Sequence, residues 1–128
     1  MSDKFKVEII SPDKSILNLE ADEVTIPSYE GQMGILKNHI PLITFLRPGI
    51  ILIKAQEEKK YYVEEGTVEF SNDNLLILTS TAKNIANLDK NIINELLQKA
   101  EANLNTQSTD KERYVASYKL ETLKEISQ

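Results

Sequence analysis

The sequence has no cysteine and no tryptophan, and its 128 residues include one histidine, four glycines and four prolines. Without cysteine, the chain has no disulfides, no thiolate zinc ligands and no thiol nucleophile. A single histidine leaves little room for general-base catalysis or for an imidazole metal site. Long apolar runs are also missing, because stretches such as residues 49–53 fall far below the ~20 residues that span a bilayer.

Positive charge is in short supply as well, since fifteen lysines and arginines stand against twenty aspartates and glutamates, for a formal net charge of −5. An acidic chain repels phosphate backbones, so nucleic acid is not an expected partner. The N-terminus runs directly into a strand pattern and resembles neither a signal peptide nor a transit peptide. If the protein serves a membrane, we expect it to do so from the aqueous side.

What the chain does contain is a strand pattern over residues 5–82. Apolar and polar side chains alternate at 5–10, 23–26 and 67–70, with turn residues between the runs. This pattern predicts an antiparallel β-sandwich or barrel. Three other runs are apolar at both parities, so we expect them to be buried on both faces or twisted; they are 42–46, 50–53 and 75–78.

The two adjacent tyrosines Tyr61 and Tyr62 lie within one of the predicted strands. Successive side chains of a strand point to opposite faces. One ring is therefore predicted to face the core and the other to face out.

From Leu88 onward the apolar residues recur every three or four positions, which predicts a helix with Asn87 or Asp89 as its N-cap. The polar stretch 103–108 interrupts that pattern. Thr109 and Glu112 then match a capping box, which predicts a second helix. An apolar stripe on the second helix is expected to pack mainly on the first; it comprises Tyr114, Val115, Tyr118, Leu123 and Ile126.

These patterns predict a mostly β protein with a helical appendage: an N-terminal antiparallel β-sandwich domain at 1–85 and an antiparallel two-helix hairpin at 86–128. A two-helix hairpin buries too little surface to be stable alone, so it must pack against the sandwich or against another protein. Such binding is expected to be weak and conditional, which makes the hairpin a candidate movable element.

Motifs for chemistry are missing. The sequence has no Gly-x-Ser-x-Gly elbow, no phosphate-binding glycine loop and no carboxylate at ligand spacing around His39. His39 is therefore interpreted as a turn or surface residue. We predict no catalytic residue, no metal site and no cofactor.

The most specific signal lies in residues 30–49, which hold three of the four glycines, two of the four prolines and the only histidine. In order and spacing, this segment resembles the epsilon subunit family of bacterial and chloroplast rotary ATP synthases, equivalent to the mitochondrial delta subunit. The positions that match the family pattern are Pro27, Gly31, Gly34, Ile35, Leu36, Asn38, His39, Pro41, Leu42, Ile43, Thr44, Leu46, Arg47, Pro48 and Gly49. The likeness extends along the whole chain, including the order of sandwich and hairpin.

The resemblance implies a non-catalytic central-stalk subunit that couples the rotor to the catalytic head of a proton-driven ATP synthase. It also implies a peripheral position at the cytoplasmic face of the bacterial inner membrane, with the sandwich on the gamma subunit and on the ring of c subunits. The residues implied to face the rotor are Glu30, Gly31, Gln32, Met33 and His39.

In this family the hairpin can extend toward the alpha and beta subunits and block ATP hydrolysis, with basic residues of the second helix facing acidic segments. The basic residues here are Lys111, Arg113, Lys119 and Lys124. Four acids on the same helix balance them, so no long-range attraction results. We expect inhibition to be weaker than in relatives or to depend on packing more than on charge.

Two departures from the family bear on function and fold. Some relatives bind ATP through Leu/Ile-Asp-x-x-Arg-Ala at the start of the first helix. This chain keeps Leu88 and Asp89 but has Ile92 and Ile93 in place of Arg-Ala, which leaves Asp89 as the one weak candidate. Glu65 replaces the first glycine of a usual pair, so the bulge there must form without positive φ or accept strain.

Two rival hypotheses belong to other functional classes. A free-standing sandwich that binds a small ligand predicts a pocket and no affinity for a gamma subunit. An enzyme using carboxylate pairs predicts inward-facing acids, whereas the acids here mostly occupy water-facing positions of the alternation.

Overall fold

The computed structural model describes residues 3–106 and 109–127. The predicted N-terminal segment and the predicted 103–108 interruption therefore lie partly outside the described residues.

The described residues form ten strands in one curled sheet. The strands are β1 (Phe5–Ile10), β2 (Ser15–Ala21), β3 (Glu23–Ser28), β4 (Gly31–Ile35), β5 (Leu42–Leu46), β6 (Gly49–Lys54), β7 (Glu58–Val63), β8 (Gly66–Ser71), β9 (Asn74–Leu78) and β10 (Lys83–Asn84). The order across the sheet is β10-β7-β6-β3-β5-β8-β9-β1-β2, with β4 paired to β3. Neighbours are antiparallel except β1 and β9, which run parallel.

The sheet curls because β3 changes partner along its length. Its first half pairs with β6 at Glu23, Val24 and Thr25, whereas Ser28 at its end pairs with Leu46 of β5. The inward faces then enclose one apolar core, in which the ring of Phe5 meets that of Phe70 edge to face at 5.7 Å. The predicted antiparallel sandwich or barrel is confirmed in this curled form.

The prediction of two-sided burial for the all-apolar runs was wrong for two of them. In β5, Thr44 and Leu46 face the core, but the side chains of Ile43 and Phe45 are 71% and 61% exposed. In β9, Leu78 is 45% exposed. Neither of the described C-terminal helices makes an extended contact with β5 or β9, so the outward side chains of these strands stay largely exposed, although Lys111 lies near Phe45.

A 3-10 turn at residues 85–87 leads into two helices, α1 (Lys90–Thr106) and α2 (Asp110–Ile126). The N-cap of α1 is Asp89, whose carboxylate accepts from the Ile92 N–H at 2.9 Å. Thr109 caps α2, accepting from the Glu112 N–H at 3.1 Å. Its hydroxyl also donates to the Glu112 carboxylate at 2.8 Å.

The predicted interruption at 103–108 was wrong for residues 103–106, which continue α1. Asparagine and threonine are only modestly poor helix formers, and tertiary packing readily overrides such a preference. Leu104 is half-buried, and the Thr106 hydroxyl donates to the Ala102 carbonyl at 3.0 Å within the helix.

Two alternatives were predicted for Glu65, a backbone without positive φ or a strained one. The first is observed, because Glu65 does not adopt positive φ. Positive φ occurs instead at Gly66, at 157°. The Glu65 carbonyl accepts from the Thr79 hydroxyl at 2.5 Å, and its carboxylate accepts from Ser80 at 2.7 Å. Glu65 therefore holds the end of β9 while the following glycine takes the unusual conformation.

Candidate functional site

An uncovered apolar surface lies on the outer side of β5, β8 and β9. Ile43 stands opposite Glu69, which stands opposite Leu76, and in the next row Phe45, Thr67 and Leu78 align in the same way. We call Ile43, Phe45, Leu76 and Leu78 the outer face. Glu69 and Thr67 of β8 separate the apolar pair on β5 from the pair on β9. Exposed apolar side chains grouped among polar ones on a folded domain are typical of a surface that another protein covers.

Sequence reasoning missed the outer face, although a signal was present. A strand that is apolar at both parities needs a second covering layer. The helical hairpin is the one layer the sequence offers beyond the strands, and it packs elsewhere. The pattern could therefore have been interpreted as a partner surface instead of two-sided burial.

Four of the five residues predicted to face the rotor lie at the β3–β4 hairpin, with Glu30 in the turn and Gly31, Gln32 and Met33 in β4. The Ser28 hydroxyl donates to the Gly31 carbonyl at 2.7 Å and accepts from the Glu30 N–H at 3.2 Å. Gly31 has φ 116°, a conformation that disfavours any side chain. Glu30 is exposed, whereas Gln32 lines the cavity between the sandwich and α2. Met33 packs partly against the sandwich core.

The fifth residue, His39, lies in the connection between β4 and β5. Its ring meets that of Phe70 edge to face at 5.9 Å, and Nδ1 donates to the Ile40 carbonyl at 2.7 Å. The preceding Asn38 has φ 68°, and its N–H donates to the Asp73 carboxylate at 2.8 Å. The ring contact and the hydrogen bond thus hold the His39 side chain in a fixed position in the loop.

The two groups of predicted residues contact opposite ends of β5. Tyr29, next to Glu30, donates from its N–H to the Phe45 carbonyl near the end of the strand. His39 lies against Phe70, which pairs with Leu42 at the start of the strand. The structure therefore presents them as two separate patches on either end of one strand.

The helical hairpin packs on the other side of the sandwich, around Tyr62. This ring is fully buried among Ala100 of α1, Leu123 of α2 and half-buried apolar side chains of both helices. Tyr61 is buried in the sandwich core, so both adjacent rings are inside. As predicted, one ring faces the core and the other faces out of the sandwich, but the outward ring of Tyr62 is not exposed because the hairpin covers it.

A polar chain joins Tyr62 to α2. Its hydroxyl donates to one oxygen of the Glu64 carboxylate at 3.0 Å, and the other oxygen lies 3.6 Å from Nζ of Lys119. Burial, helped by the charge and the hydrogen bond of Glu64, raises the pKa of the Tyr62 hydroxyl far above its usual value. Both members of the ion pair are mostly shielded, with side chains 24% and 21% exposed.

Aromatic contacts extend this interface along α2. The Arg47 guanidinium lies 4.1 Å from the centre of the Tyr118 ring. Tyr118 meets Tyr114 edge to face at 4.7 Å, and Tyr114 stacks on Tyr29 of the β3–β4 turn at 5.9 Å. The stripe predicted to pack mainly on the first helix therefore packs on the sandwich as well.

The four basic residues predicted on α2 have different surroundings. Lys119 pairs with Glu64 of the sandwich. Lys111, Arg113 and Lys124 are exposed on the helix surface. In this arrangement α2 presents most of its positive charge to solvent while one lysine is held by the sandwich.

The weak nucleotide candidate Asp89 is engaged locally, because its carboxylate caps α1. The two residues that replace Arg-Ala differ in exposure: Ile93 is buried and Ile92 is 37% exposed. Over residues 3–106 and 109–127, no group of three or more histidine, aspartate or glutamate side chains is placed to hold a metal ion. In the same ranges, no buried side-chain nitrogen or oxygen lacks a hydrogen-bond partner.

Within the described part of the chain, no helix is long and apolar enough to cross a membrane.

Comparison with known proteins points to one family. Residues 4–85 match the family described as "ATP synthase, Delta/Epsilon chain, beta-sandwich domain". The chain is 49% identical to the ATP synthase epsilon chain of Pelagibacter ubique (strain HTCC1062), with 99% of this chain and 100% of that one covered. It is 32% identical to the chloroplastic ATP synthase epsilon chain of Gracilaria tenuistipitata var. liui, with 91% and 87% covered.

Solved structures share the fold at lower sequence identity. A chain in the Euglena gracilis mitochondrial ATP synthase, in an assembly of OSCP, F1 and c-ring, superposes with a TM-score of 0.75 at 21% identity, covering 97% of this chain and 79% of that one. A chain in the central stalk and c-ring of the Tetrahymena thermophila mitochondrial ATP synthase gives a TM-score of 0.71 at 16% identity, with 96% of each chain covered. The likeness spans the strands and both helices.

Proposed function

The chain belongs to the delta/epsilon family of ATP synthase chains, and we propose that it works as the epsilon subunit of the central stalk, between the rotor ring and the catalytic head. The subunit is non-catalytic, and its task is to bind its neighbours and to transmit rotation between them. It would do so at the cytoplasmic face of the bacterial membrane, as a peripheral component of the complex.

The outer face is the observation that supports this role most directly. Ile43 and Phe45 expose 71% and 61% of their surface on a rigid strand, and Leu78 extends the same row. We assign the gamma subunit to this surface, because a stalk subunit that turns with gamma needs a flat, apolar and preformed contact. Aromatic side chains at the centre of such a contact supply much of the binding energy.

The test is binding of the full chain to purified gamma subunit. Burial of one large apolar side chain stabilises an interface by ~1.5–3 kcal/mol. Phe45→Ser should therefore weaken binding by about tenfold to a hundredfold. Ile92→Ser is the matched control, since it removes an apolar side chain that is 37% exposed on α1. Equal affinity for all three chains would remove the outer face from the interface.

The same experiment distinguishes the proposed stalk subunit from the rival hypothesis of a free-standing ligand-binding module. That hypothesis predicts no affinity of the unmodified chain for gamma. A complete lack of binding by the unmodified chain would therefore favour it.

The rotor-ring contact is assigned to the β3–β4 turn and the His39 loop. Glu30 projects from a turn held by Ser28 and Gly31, and a held turn can meet polar loops of the ring without losing much entropy. In membrane vesicles that contain the whole complex, Glu30→Ala should lower ATP-driven proton pumping more than ATP hydrolysis. Asn18→Ala, an exposed change on β2, is the control and should leave the ratio unchanged.

The hairpin is assigned a regulatory role, in which it leaves the sandwich and reaches the alpha and beta subunits to slow ATP hydrolysis. Its support is that the hairpin packs on the sandwich through a separate cluster around Tyr62, which is distinct from the sandwich core and has an ion pair and ring contacts beside it. Full-length chain and a chain ending at Ala86 are compared in the assembled complex. A higher hydrolysis rate with the short chain is expected, and equal rates would exclude inhibition by the helices.

A further inference from the structure

A long-range hydrogen bond joins the His39 loop to the turn between β8 and β9. The Asn38 N–H donates to one carboxylate oxygen of Asp73 at 2.8 Å, although 35 positions separate the two residues in the sequence. The Asp73 carbonyl in turn accepts from the Lys6 N–H of β1 at 3.0 Å. Asp73 therefore connects the loop both to the β8–β9 turn and to β1.

The turn that ends at His39 has little local preference for its conformation. The His39 N–H donates to the Leu36 carbonyl at 3.1 Å, and of these four residues only Asn38 has positive φ, at 68°. Positive φ at the third position is the mark of a type II turn, which favours proline at the second position and glycine at the third. Those positions hold Lys37 and Asn38 here. We therefore expect the local sequence alone to leave the turn only partly formed.

The backbone of the β8–β9 turn favours glycine at the position that Asp73 occupies. Ser71 pairs with Asn74, and the two residues between them have positive φ, 50° for Asn72 and 57° for Asp73. A two-residue hairpin turn of this kind is commonest with Asn-Gly, since glycine adopts positive φ without a steric cost. The turn itself therefore does not need the carboxylate, whose hydrogen bond is made with Asn38.

The conformation of the loop decides how its exposed apolar side chains are presented. Leu36 is 55% exposed and Ile40 is 74% exposed, on either side of the turn. The His39 ring between them lies against Phe70 of β8. A loop that is already ordered loses less entropy when a partner binds, so its contacts yield more net affinity.

We propose that Asp73 is a positioning residue for the rotor-ring contact: by accepting from the Asn38 N–H, its carboxylate keeps the turn from Leu36 to His39 in the conformation that meets the ring. The biological part of this inference rests on the proposed function, which assigns the ring to the β3–β4 turn and the His39 loop. The order of the turn itself is a property of the isolated chain.

Hydrogen exchange of the Asn38 amide, resolved by NMR of the isolated full chain, measures whether Asp73 holds the turn. Asp73→Gly permits positive φ and removes the acceptor, so the Asn38 amide should exchange about tenfold faster. Asp73→Asn keeps an oxygen acceptor without the charge, and its rate should stay within about threefold of the unmodified chain. Asn72→Gly is the matched control, since it changes the neighbouring position of positive φ and leaves the carboxylate in place.

The pattern of exchange separates a positioning role from a general role in stability. Because glycine suits this turn, Asp73→Gly should change the urea midpoint little and should leave the amides of the strands protected. An unchanged Asn38 rate in Asp73→Gly would overturn the proposal. Equal acceleration in Asp73→Asn would also overturn it, since the effect would then arise from charge alone. Faster exchange throughout the strands would assign Asp73 to the stability of the sheet instead.

ATP-driven proton pumping relative to ATP hydrolysis, in membrane vesicles that contain the whole complex, tests the contact with the ring. Asp73→Gly should lower this ratio about twofold, because only molecules with a formed turn can bind the ring. Ile40→Ser changes an exposed side chain of the same loop and leaves Asp73 in place, and it should lower the ratio as well. Asn72→Gly should leave the ratio unchanged.

The two loop variants distinguish this inference from the proposed function. If Ile40→Ser lowers the ratio and Asp73→Gly does not, the loop meets the ring and the positioning role of Asp73 fails. If neither variant lowers the ratio while Asp73→Gly accelerates Asn38 exchange, Asp73 holds the turn and the proposed ring contact of this loop fails. A lower ratio in both variants, together with faster Asn38 exchange in Asp73→Gly, supports both.

Discussion

Leu123→Ala tests whether the hairpin is a separate unit that can be released without disturbing the sandwich. Leu123 has no exposed surface and packs on Tyr62 and Ala100, in a cluster distinct from the sandwich core. Its removal should therefore act on the helices alone. The strands should keep their stability, because the sandwich core does not include this side chain.

The size of the effect follows from the burial. Truncating a buried leucine costs ~2–5 kcal/mol, of which part is lost apolar contact and part is the remaining cavity. The cluster lies at an interface between two units, which can relax, so we take a value in the lower half of this range, about 2.7 kcal/mol. Since each ~1.4 kcal/mol is a factor of ten, the open form of the hairpin should become about a hundredfold more populated.

Hydrogen exchange followed by mass spectrometry measures the population of the open hairpin directly. Amides of α1 and α2 should exchange about a hundredfold faster in the variant, whereas amides of β1, β8 and β9 should keep their rates. Leu120→Ala is a graded control, because this half-buried leucine belongs to the same cluster and should have a smaller effect. Faster exchange in helices and strands together would refute the separation into two units, and unchanged helix exchange would refute the role of Leu123.

Three further predictions follow from single positions. Gly66→Ala should destabilise the fold by ~1–3 kcal/mol in urea unfolding, because φ is 157° and a Cβ would lie 2.7 Å from the Leu78 carbonyl oxygen; Gly34→Ala, which has an ordinary φ and room for a Cβ, should be nearly neutral. Asp89→Ala should cost α1 ~0.5–2 kcal/mol and increase exchange in its first turn, where the cap is lost. The pKa of the Tyr62 hydroxyl is raised in the docked hairpin, so the hydroxyl ionises more readily after release. Docking is therefore fully favoured below the ordinary tyrosine pKa near 10 and weakens as pH rises above it. Hydrogen exchange in the helices should increase in that pH range, and Tyr62→Phe should remove most of this pH dependence.

Strand and helix positions could be predicted well because they depend on near neighbours. The alternation at 5–10 and 67–70 corresponds to β1 and β8, and the change of period after Leu88 corresponds to α1. The capping box at Thr109 and the cap at Asp89 were also correct, since a cap involves residues within one turn. The local backbone conformation depends mainly on residues that are close in the sequence.

The sequence did not show in the same way which strand faces are covered by another element. Ile43 and Phe45 looked like core residues because they are large and apolar, yet they are mostly exposed, since neither described helix makes an extended contact with β5. Tyr62 looked like an outward ring, yet it is buried, since Leu123 from a distant part of the chain covers it. Hydrophobicity shows that a residue gains by burial but does not show what buries it.

The sequence by itself determined the order of sandwich and hairpin, the family, and the caps of the two helices, because each follows from residue type at fixed spacing. Only the tertiary structure decided that the outer face is open, that α2 docks through Arg47 and Tyr118, and that Lys119 is matched by Glu64. These facts join residues that are far apart in the chain. Their energies arise from contact and desolvation in three dimensions, which the period of a sequence does not contain.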